Sequence, residues 1–382
     1  MSAYWNPKPT PKHKPVPISE MKISTSNARK KKRKVTPSDD SWIDSFDPRP
    51  MKQRKETTFE EKMDFATKLR KIDPRSGILA FLPSSEDFGE NENSKPQPQN
   101  NISHLYVLSQ AKMFVKASLD KLSENNVLNC AEEFLKTLTF SDNDRLSIEK
   151  ATVGQHKNKN WHKMRHLLVT GKKIKSLYTR QKTLEKNPLT DVSLTVKNFI
   201  EEKEFQGSQA YPEAIEHGIR EEEIAKFCYS KVCEKQHCSF EFEEPGLIIS
   251  RHYSWIGASL DGIRKCQCCD PTSVEIKCPF KGKDLDPKVA FLLPSVGGKK
   301  NEDGNYFLDE NHLHYFQVQT GMAVSSFKTC DFVTYTSKGI FVVKINFNPN
   351  FWKTVVARVY KFYCNQIVPS FLLEAFHSVM NQ

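Results

Sequence analysis

The segment TSVEIKCPF (Thr272–Phe280) limits the fold more than any other stretch of this chain. Its β-branched residues and period-two alternation predict a strand with Val274, Ile276 and Cys278 on one face and Glu275 and Lys277 on the other. The apolar face can build a core while the charged face lines a cleft. Upstream, WIGASLDG (Trp255–Gly262) ends a strand-like run with Asp261 in a glycine-flanked turn. If that run pairs with the later strand, Asp261 lies beside Glu275. Two carboxylates and the Ile276 main-chain carbonyl suit a hard divalent cation such as Mg²⁺. A neighbouring ammonium would help an attacking water ionise and would offset charge developing on a phosphate. Such spacing also arises by chance in a chain rich in acids and lysines, so it does not define a site alone.

At 382 residues the chain is long enough for one or two domains with a real core. Its net charge of +11 is unevenly spread, because the first 55 residues hold fourteen Lys/Arg against five Asp/Glu. The basic balance therefore belongs mostly to the tail and does not by itself mark a DNA-binding surface on the folded part. Residues 1–56 hold eight of the 21 prolines and few aliphatics, so they cannot bury enough apolar surface to fold. With the polar linker Ser84–Asn101, residues 1–101 read as a largely disordered basic tail, interrupted by a helix over Thr58–Ile72. The run Arg29, Lys30, Lys31, Lys32, Arg33, Lys34 fits a nuclear-import signal, the alternative being a tail that simply holds phosphates. No apolar run is long enough for a membrane span, the N-terminus has no apolar core of a secretory signal, and the ten cysteines read as reduced thiols or metal ligands. An intracellular, nuclear location is expected.

From residue 102 the apolar spacing turns helical, and 102–150 is expected to be a helical lead-in. NKNWHKMRHLLVTGKKIKSLYTR (Asn158–Arg180) predicts one or two more helices, and Tyr211–Val232 another. In that last helix Ile215, Ile219, Glu222, Ala225 and Tyr229 share one stripe. Glu222 among apolar neighbours is costly unless a cation meets it; the alternative is a stripe-edge acid reaching solvent. Strands follow, then a hairpin turning at Ser337-Lys338-Gly339 and a closing helix bearing Val355, Val356, Val359 and Phe362. This order predicts a layered α/β domain.

The motifs GASLDG and VEIKCPF together resemble the nuclease motif of the YqaJ viral-recombinase family, which includes phage lambda exonuclease, within the PD-(D/E)xK superfamily. WHKMRHLLVTG is similar to its early W-x-x-x-R-x-x-x-x-T-A-S segment, HGIREEEIA to its G-x-x-x-E-x-x-A helix, and HYFQVQTGMAV to its Y-x-x-Q-x-Q-x-x-M segment. IEKATVGQHKNKNW also looks like the lead-in of animal members. The likeness spans about residues 148–352. It implies a restriction-endonuclease-like core, a central mixed β-sheet flanked by helices, with residues 151–375 as the nuclease domain. It further implies that Asp261, Glu275, the Ile276 carbonyl and Glu222 bind Mg²⁺, with Mn²⁺ as a substitute, and that Lys277 assists the attacking water. Arg165, Ser259 and Gln317 match positions that hold the 5′-terminal phosphate in lambda-type enzymes. The chain departs at Leu260, Lys172 and His314, where the family prefers Pro, Ser and Tyr; Lys172 would serve as a phosphate cation or mark an altered phosphate pocket, and Trp161 would stack on a terminal base or belong to the core.

The implied activity is a Mg²⁺-dependent exonuclease acting on duplex DNA ends in recombination, repair or mobile-element processing. By resemblance alone it would run 5′ to 3′, form a ring trimer and work with a single-strand-annealing recombinase. The alternative is a catalytically silent nuclease-fold protein, of transposon or viral origin, that grips DNA ends. Finally, Cys266, Cys268 and Cys269, with Cys278, form a candidate structural Zn²⁺ or iron–sulfur site, although C-x-C-C is not a regular ligand spacing.

Overall fold

Ser141 shows how the lead-in is punctuated. Its hydroxyl accepts the Asp144 N–H at 3.1 Å, while the Asp144 carboxylate accepts the Ser141 N–H at 2.8 Å, a reciprocal cap that starts a helix. In the computed structural model, residues 102–201 and 212–381 are described, together with Lys68. The chain divides into two units, Met1–Lys95, of which only Lys68 is described, in a helix, and Pro96–Gln382, which carries the core and the candidate site. The basic run 29–34, the linker and the remainder of the Thr58–Ile72 helix lie outside the described residues.

The lead-in is helical, with α1 (Val107–Ala117), α2 (Glu124–Val127), α3 (Ala131–Thr137) and α4 (Asp142–Ala151). Its buried Val107, Ala111, Val115 and Phe134 share one apolar core with the chain's closing helices α11 (Pro349–Phe362) and α12 (Val368–Met380), which contribute Val359, Phe371, Leu372 and Ala375. Val355, Val356, Val359 and Phe362 are buried as their spacing predicts. Segment 158–180 yields α5 (Lys159–Arg165) and α6 (Gly171–Lys186), separated by a two-residue strand β1 (Val169–Thr170); α7 (Ser193–Ile200) and the long α8 (Glu213–Gln236) follow.

Three sheets result among the described residues. The strands are β2 (Glu241–Glu243), β3 (Leu247–Ile249), β4 (Ile256–Ser259), β5 (Gly262–Lys265), β6 (Thr272–Lys277), β7 (Gly298–Lys300), β8 (Tyr306–Leu308), β9 (Thr329–Thr336) and β10 (Gly339–Asn346). The central sheet runs β10-β9-β6-β5-β2, with β6 parallel to β9 and the other neighbours antiparallel, hence mixed. A small sheet runs β1-β4-β3, and β7 pairs with β8. The short helix α9 (Pro287–Phe291) follows β6, and α10 (Leu313–Ser325) follows β8.

The β6 alternation holds. Val274 and Ile276 join Val333 of β9 against Ala225, Tyr229 and Cys233 of α8, and Cys278 packs at the edge of this cluster. On the opposite face Cys330 and Phe332 of β9 meet Val318 and Met322 of α10 and Phe291 of α9. The sheet is thus flanked by helices on both faces, the α/β architecture expected. One expectation needs correcting: the run ending at Asp261 does not pair with β6. β4 belongs to the small sheet, and the new strand β5, beginning one residue after Asp261, pairs antiparallel with β6, Gly262 opposite Val274. Asp261 therefore sits where the chain passes from one sheet to the other. Gly262 is required there by close approach, because a Cβ at that position would run into the Phe242 ring.

Candidate active site

The passage between sheets aims Asp261 back at β6: its Oδ2 accepts the Ile276 N–H at 2.7 Å. That bond fixes the carboxylate beside Glu275, whose side chain points away from α8. Gln155 secures the same turn from outside, its Nε2 donating to the carbonyls of Leu260 at 2.7 Å and Pro245 at 3.2 Å. Leu260 itself is buried over α10. Packing and the Gln155 bond thus restrain the turn at the point where the family's proline stands. The IEKATVGQHKNKNW likeness was the only sequence signal for Gln155.

A cleft of about 270 Å³ collects the predicted residues: Trp161, Arg165, Lys172, Glu222, Ser259, Asp261, Glu275 and Gln317 all line it. Lys277 reaches it through Glu275, to which its ammonium donates. Gln317 of α10 donates its Nε2–H to Glu275 Oε1 at 2.6 Å. Its amide is thus engaged by the acid within the cleft. The cleft can hold α6 and α10 close together because Gly171 starts α6 against Gln317; an added Cβ would lie 3.0 Å from Gln317 Cγ and 3.3 Å from its Cα.

Charge is concentrated here at a cost. Burial, and then the Asp261 carboxylate, push the Glu275 carboxyl up to about 7 against the pull of Lys277. Burial and Asp261 likewise raise Glu222. Burial alone would strip the Lys277 ammonium of its proton, but Glu275 and Asp261 more than reverse this and its pKa rises. Lys172 is exposed overall, yet desolvation of its ammonium, then the Lys277 and Arg165 cations, lower its pKa. His314 lies on α10, its ring nitrogen Nδ1 2.9 Å from the Val296 carbonyl; burial and Lys277 drive it down to about 2, so it is neutral.

The Glu222 stripe divides where the cleft begins. Ala225 and Tyr229 are core, whereas Ile215 and Ile219 line the cleft, Ile215 being 48% exposed. The cation that meets Glu222 is Lys226, one turn later on the same helix, at 3.0 Å; it also contacts Glu244 at 2.6 Å. An i,i+4 acid–lysine pair was visible in the sequence, but not that Lys226 would be buried. Of the two readings of Trp161, the structure favours the core. Its ring is buried, its Nε1 donates to Ser259 Oγ at 2.7 Å, and the Arg165 guanidinium stacks 3.8 Å from its centre. The face that would stack on a base is taken by Arg165, so Trp161 positions Arg165 and Ser259.

The cysteines do not join this cleft as a group. Cys278 stands near the cleft, where burial, then the Glu222 and Asp261 carboxylates, push its thiol up to about 12 against the pull of Lys277. Cys266, Cys268 and Cys269 lie beyond the other end of β6, so the four-cysteine set including Cys278 does not form; His237 takes the fourth place. None of the ten cysteines is in a disulfide.

A mixed sheet with helices on both faces, and an acid–acid–lysine set at the edge of its central strand, define the architecture of PD-(D/E)xK nucleases. Residues 160–328 match the model of the YqaJ-like viral recombinase domain. Among solved structures the chain is similar to an alkaline exonuclease (LHK-Exo) from Laribacter hongkongensis, at 20% identity over 57% of this chain and 92% of that one, TM-score 0.36. It is also similar to the shutoff and exonuclease protein of Kaposi's sarcoma herpesvirus, at 12% identity over 89% and 99%, TM-score 0.41. No curated protein matches the chain. Among the described residues no helix is long and apolar enough to cross a membrane.

Proposed function

We propose that this chain is a divalent-metal-dependent deoxyribonuclease that hydrolyses phosphodiester bonds from the ends of duplex DNA, with residues 151–375 as its nuclease domain. The observation that carries the reading is the convergence of Glu222, Asp261 and Glu275, from three different elements, on one cleft with Lys277 against Glu275. The donor set fits a hard cation: it is all oxygen, and two of its acids are held above their ordinary range by burial and by the third. Glu222, Asp261, Glu275 and the Ile276 carbonyl would hold Mg²⁺ or Mn²⁺. Bound there, the ion supplies Lewis acidity at the scissile phosphate.

The chain's own residues account for the remaining roles. Lys277 enters as a cation, because Glu275 and Asp261 hold its proton, and it stabilises charge developing on the phosphoryl oxygens. Gln317 orients the Glu275 carboxylate through its amide. Arg165, held flat on Trp161, offers a planar fork for a terminal phosphate, with Lys172 and Ser259 beside it on the cleft wall. The 5′ to 3′ polarity, a ring trimer and a single-strand-annealing partner rest on family resemblance, and nuclear entry rests on the basic run 29–34.

The test is a time course on end-labelled duplex in Mg²⁺ and in EDTA, with 5′-phosphorylated and 5′-hydroxyl ends. Metal-dependent release of nucleotides is expected, faster from phosphorylated ends. Duplex that is retarded but uncut in both conditions would mean a DNA-end-binding protein and overturn the reading.

A further inference from the structure

Far from the carboxylates, at the opposite end of β6, four soft ligands meet. His237 is the residue that ends α8, and Cys266, Cys268 and Cys269 occupy the turn between β5 and β6. His237 Nδ1 stands 3.6, 3.4 and 3.3 Å from the sulfurs of Cys266, Cys268 and Cys269. The sulfurs are separated by 3.6 Å (Cys266–Cys268), 3.5 Å (Cys266–Cys269) and 3.7 Å (Cys268–Cys269). These six distances are the edges of a nearly regular tetrahedron.

We propose that His237, Cys266, Cys268 and Cys269 bind a single structural Zn²⁺. Tetrahedral zinc with ordinary bond lengths requires S–S edges of about 3.8 Å and N–S edges of about 3.5 Å. The observed edges match that requirement within a few tenths of an ångström. An iron–sulfur cluster, several atoms across, would hold its thiolates well apart, and its commonest ligand set is four cysteines. The tight tetrahedron with an imidazole corner therefore selects one ion, and zinc as the ion that favours three thiolates and a histidine.

The surroundings fit the charge of such a site. Three thiolates and a neutral imidazole around Zn²⁺ carry net negative charge. The fully buried guanidinium of Arg264 meets it, its Nη1 donating to Cys266 Sγ at 3.4 Å and Cys269 Sγ at 3.6 Å. The rest of that guanidinium is locked to the sheet, Nε to Asp331 Oδ2 at 3.0 Å and Nη2 to Thr272 Oγ1 at 2.9 Å. Such outer contacts orient ligands and tune a metal site. The Gln267 N–H also donates to the Cys238 carbonyl at 3.1 Å, joining the two ligand-bearing segments by main chain.

The position gives the ion a purpose. Glu222 lies fifteen residues before His237 on the same helix, roughly 22 Å along its axis. Asp261 directly precedes β5, and Glu275 lies on β6. The ion clips the far end of α8 to the far end of the β5–β6 hairpin, so the elements that deliver all three carboxylates are joined by one bonded centre. Its role is structural, since all four coordination positions are filled by protein and it lies remote from the cleft.

The test uses the full chain purified without chelator from zinc-supplemented medium. Near-stoichiometric zinc is expected, with X-ray absorption showing three sulfurs and one nitrogen around it. His237→Ala should lose most of the zinc, His237→Cys should keep it with four sulfurs, and Cys278→Ser should keep it unchanged. Arg264→Met should weaken zinc retention against a competing chelator by about 10- to 100-fold. Only trace zinc in the folded wild type, iron with cluster absorption, a disulfide among these cysteines, or full zinc in His237→Ala would each overturn the proposal. If His237→Ala fails to fold, retention of a four-sulfur zinc centre in His237→Cys decides the question.

Discussion

Replacing Glu275 by glutamine should stabilise the metal-free protein while disabling it. In the fold the Glu275 carboxyl titrates at about 7, against an ordinary value of 4.5. Burial is the main cause and Asp261 the second, while Lys277 pulls the other way. A carboxyl raised in this way favours the fold while protonated. Its contribution is fully present below 4.5 and is lost as the pH climbs through 7. The gap between the two values corresponds to about 3 kcal/mol, available without discount for solvent because Glu275 is buried. Glutamine mimics the protonated acid in shape and keeps an oxygen for the Gln317 amide. Glu275→Gln in EDTA should therefore match the wild type at pH 4 and exceed its unfolding free energy by up to about 3 kcal/mol at pH 8, as read by urea denaturation. Saturating Mg²⁺ should shrink the difference, since a cation replaces the proton only in the wild type. Nucleotide release by the variant should fall at least about 100-fold. A variant less stable than wild type at pH 8 in EDTA would refute the reasoning, showing that the bond to Lys277 outweighs burial.

Lys277→Met should likewise reduce nucleotide release by about 100-fold or more with circular dichroism unchanged, because it removes the cation bonded to Glu275. Arg165→Ala should lose more rate on 5′-phosphorylated than on 5′-hydroxyl duplex, by a ratio of about 10 or more; equal losses on both would mean that Arg165 serves only the Trp161 stack. Asp331→Ala should cost about 3–5 kcal/mol in urea unfolding, as it strands the Arg264 guanidinium in the interior. A loss within measurement error there would show that water reaches Arg264.

Much of the candidate site was legible because it follows local periodicity. The two-residue period of β6 separates Glu275 and Lys277 from Val274 and Ile276 whatever the rest of the chain does, and a 3.6-residue period places Glu222 one turn from Ala225 and Lys226. The ordered motifs add Asp261, Arg165 and Gln317. Less legible was anything that depended on which faces meet. Trp161 reads as a core residue or a stacking one until Ser259 and Arg165 are brought against it. Ile215 and Ile219 read as core because periodicity reports a shared stripe and not where the packed sheet ends.

What the chain determined by itself is therefore the content of individual elements: which side chains share a face, and that two acids and a lysine belong to one motif. What tertiary structure alone decided is adjacency. β5 rather than β4 pairs with β6, so Asp261 marks a change of sheet. His237 rather than Cys278 completes the cysteine tetrahedron, because Cys278 lies nine positions after Cys269, past the far end of β6, while helix packing brings His237 to Cys266, twenty-nine positions later in the chain. Periodicity is a property of neighbouring dihedral angles and is written locally. Adjacency is settled when apolar faces are buried together, and that depends on every element at once.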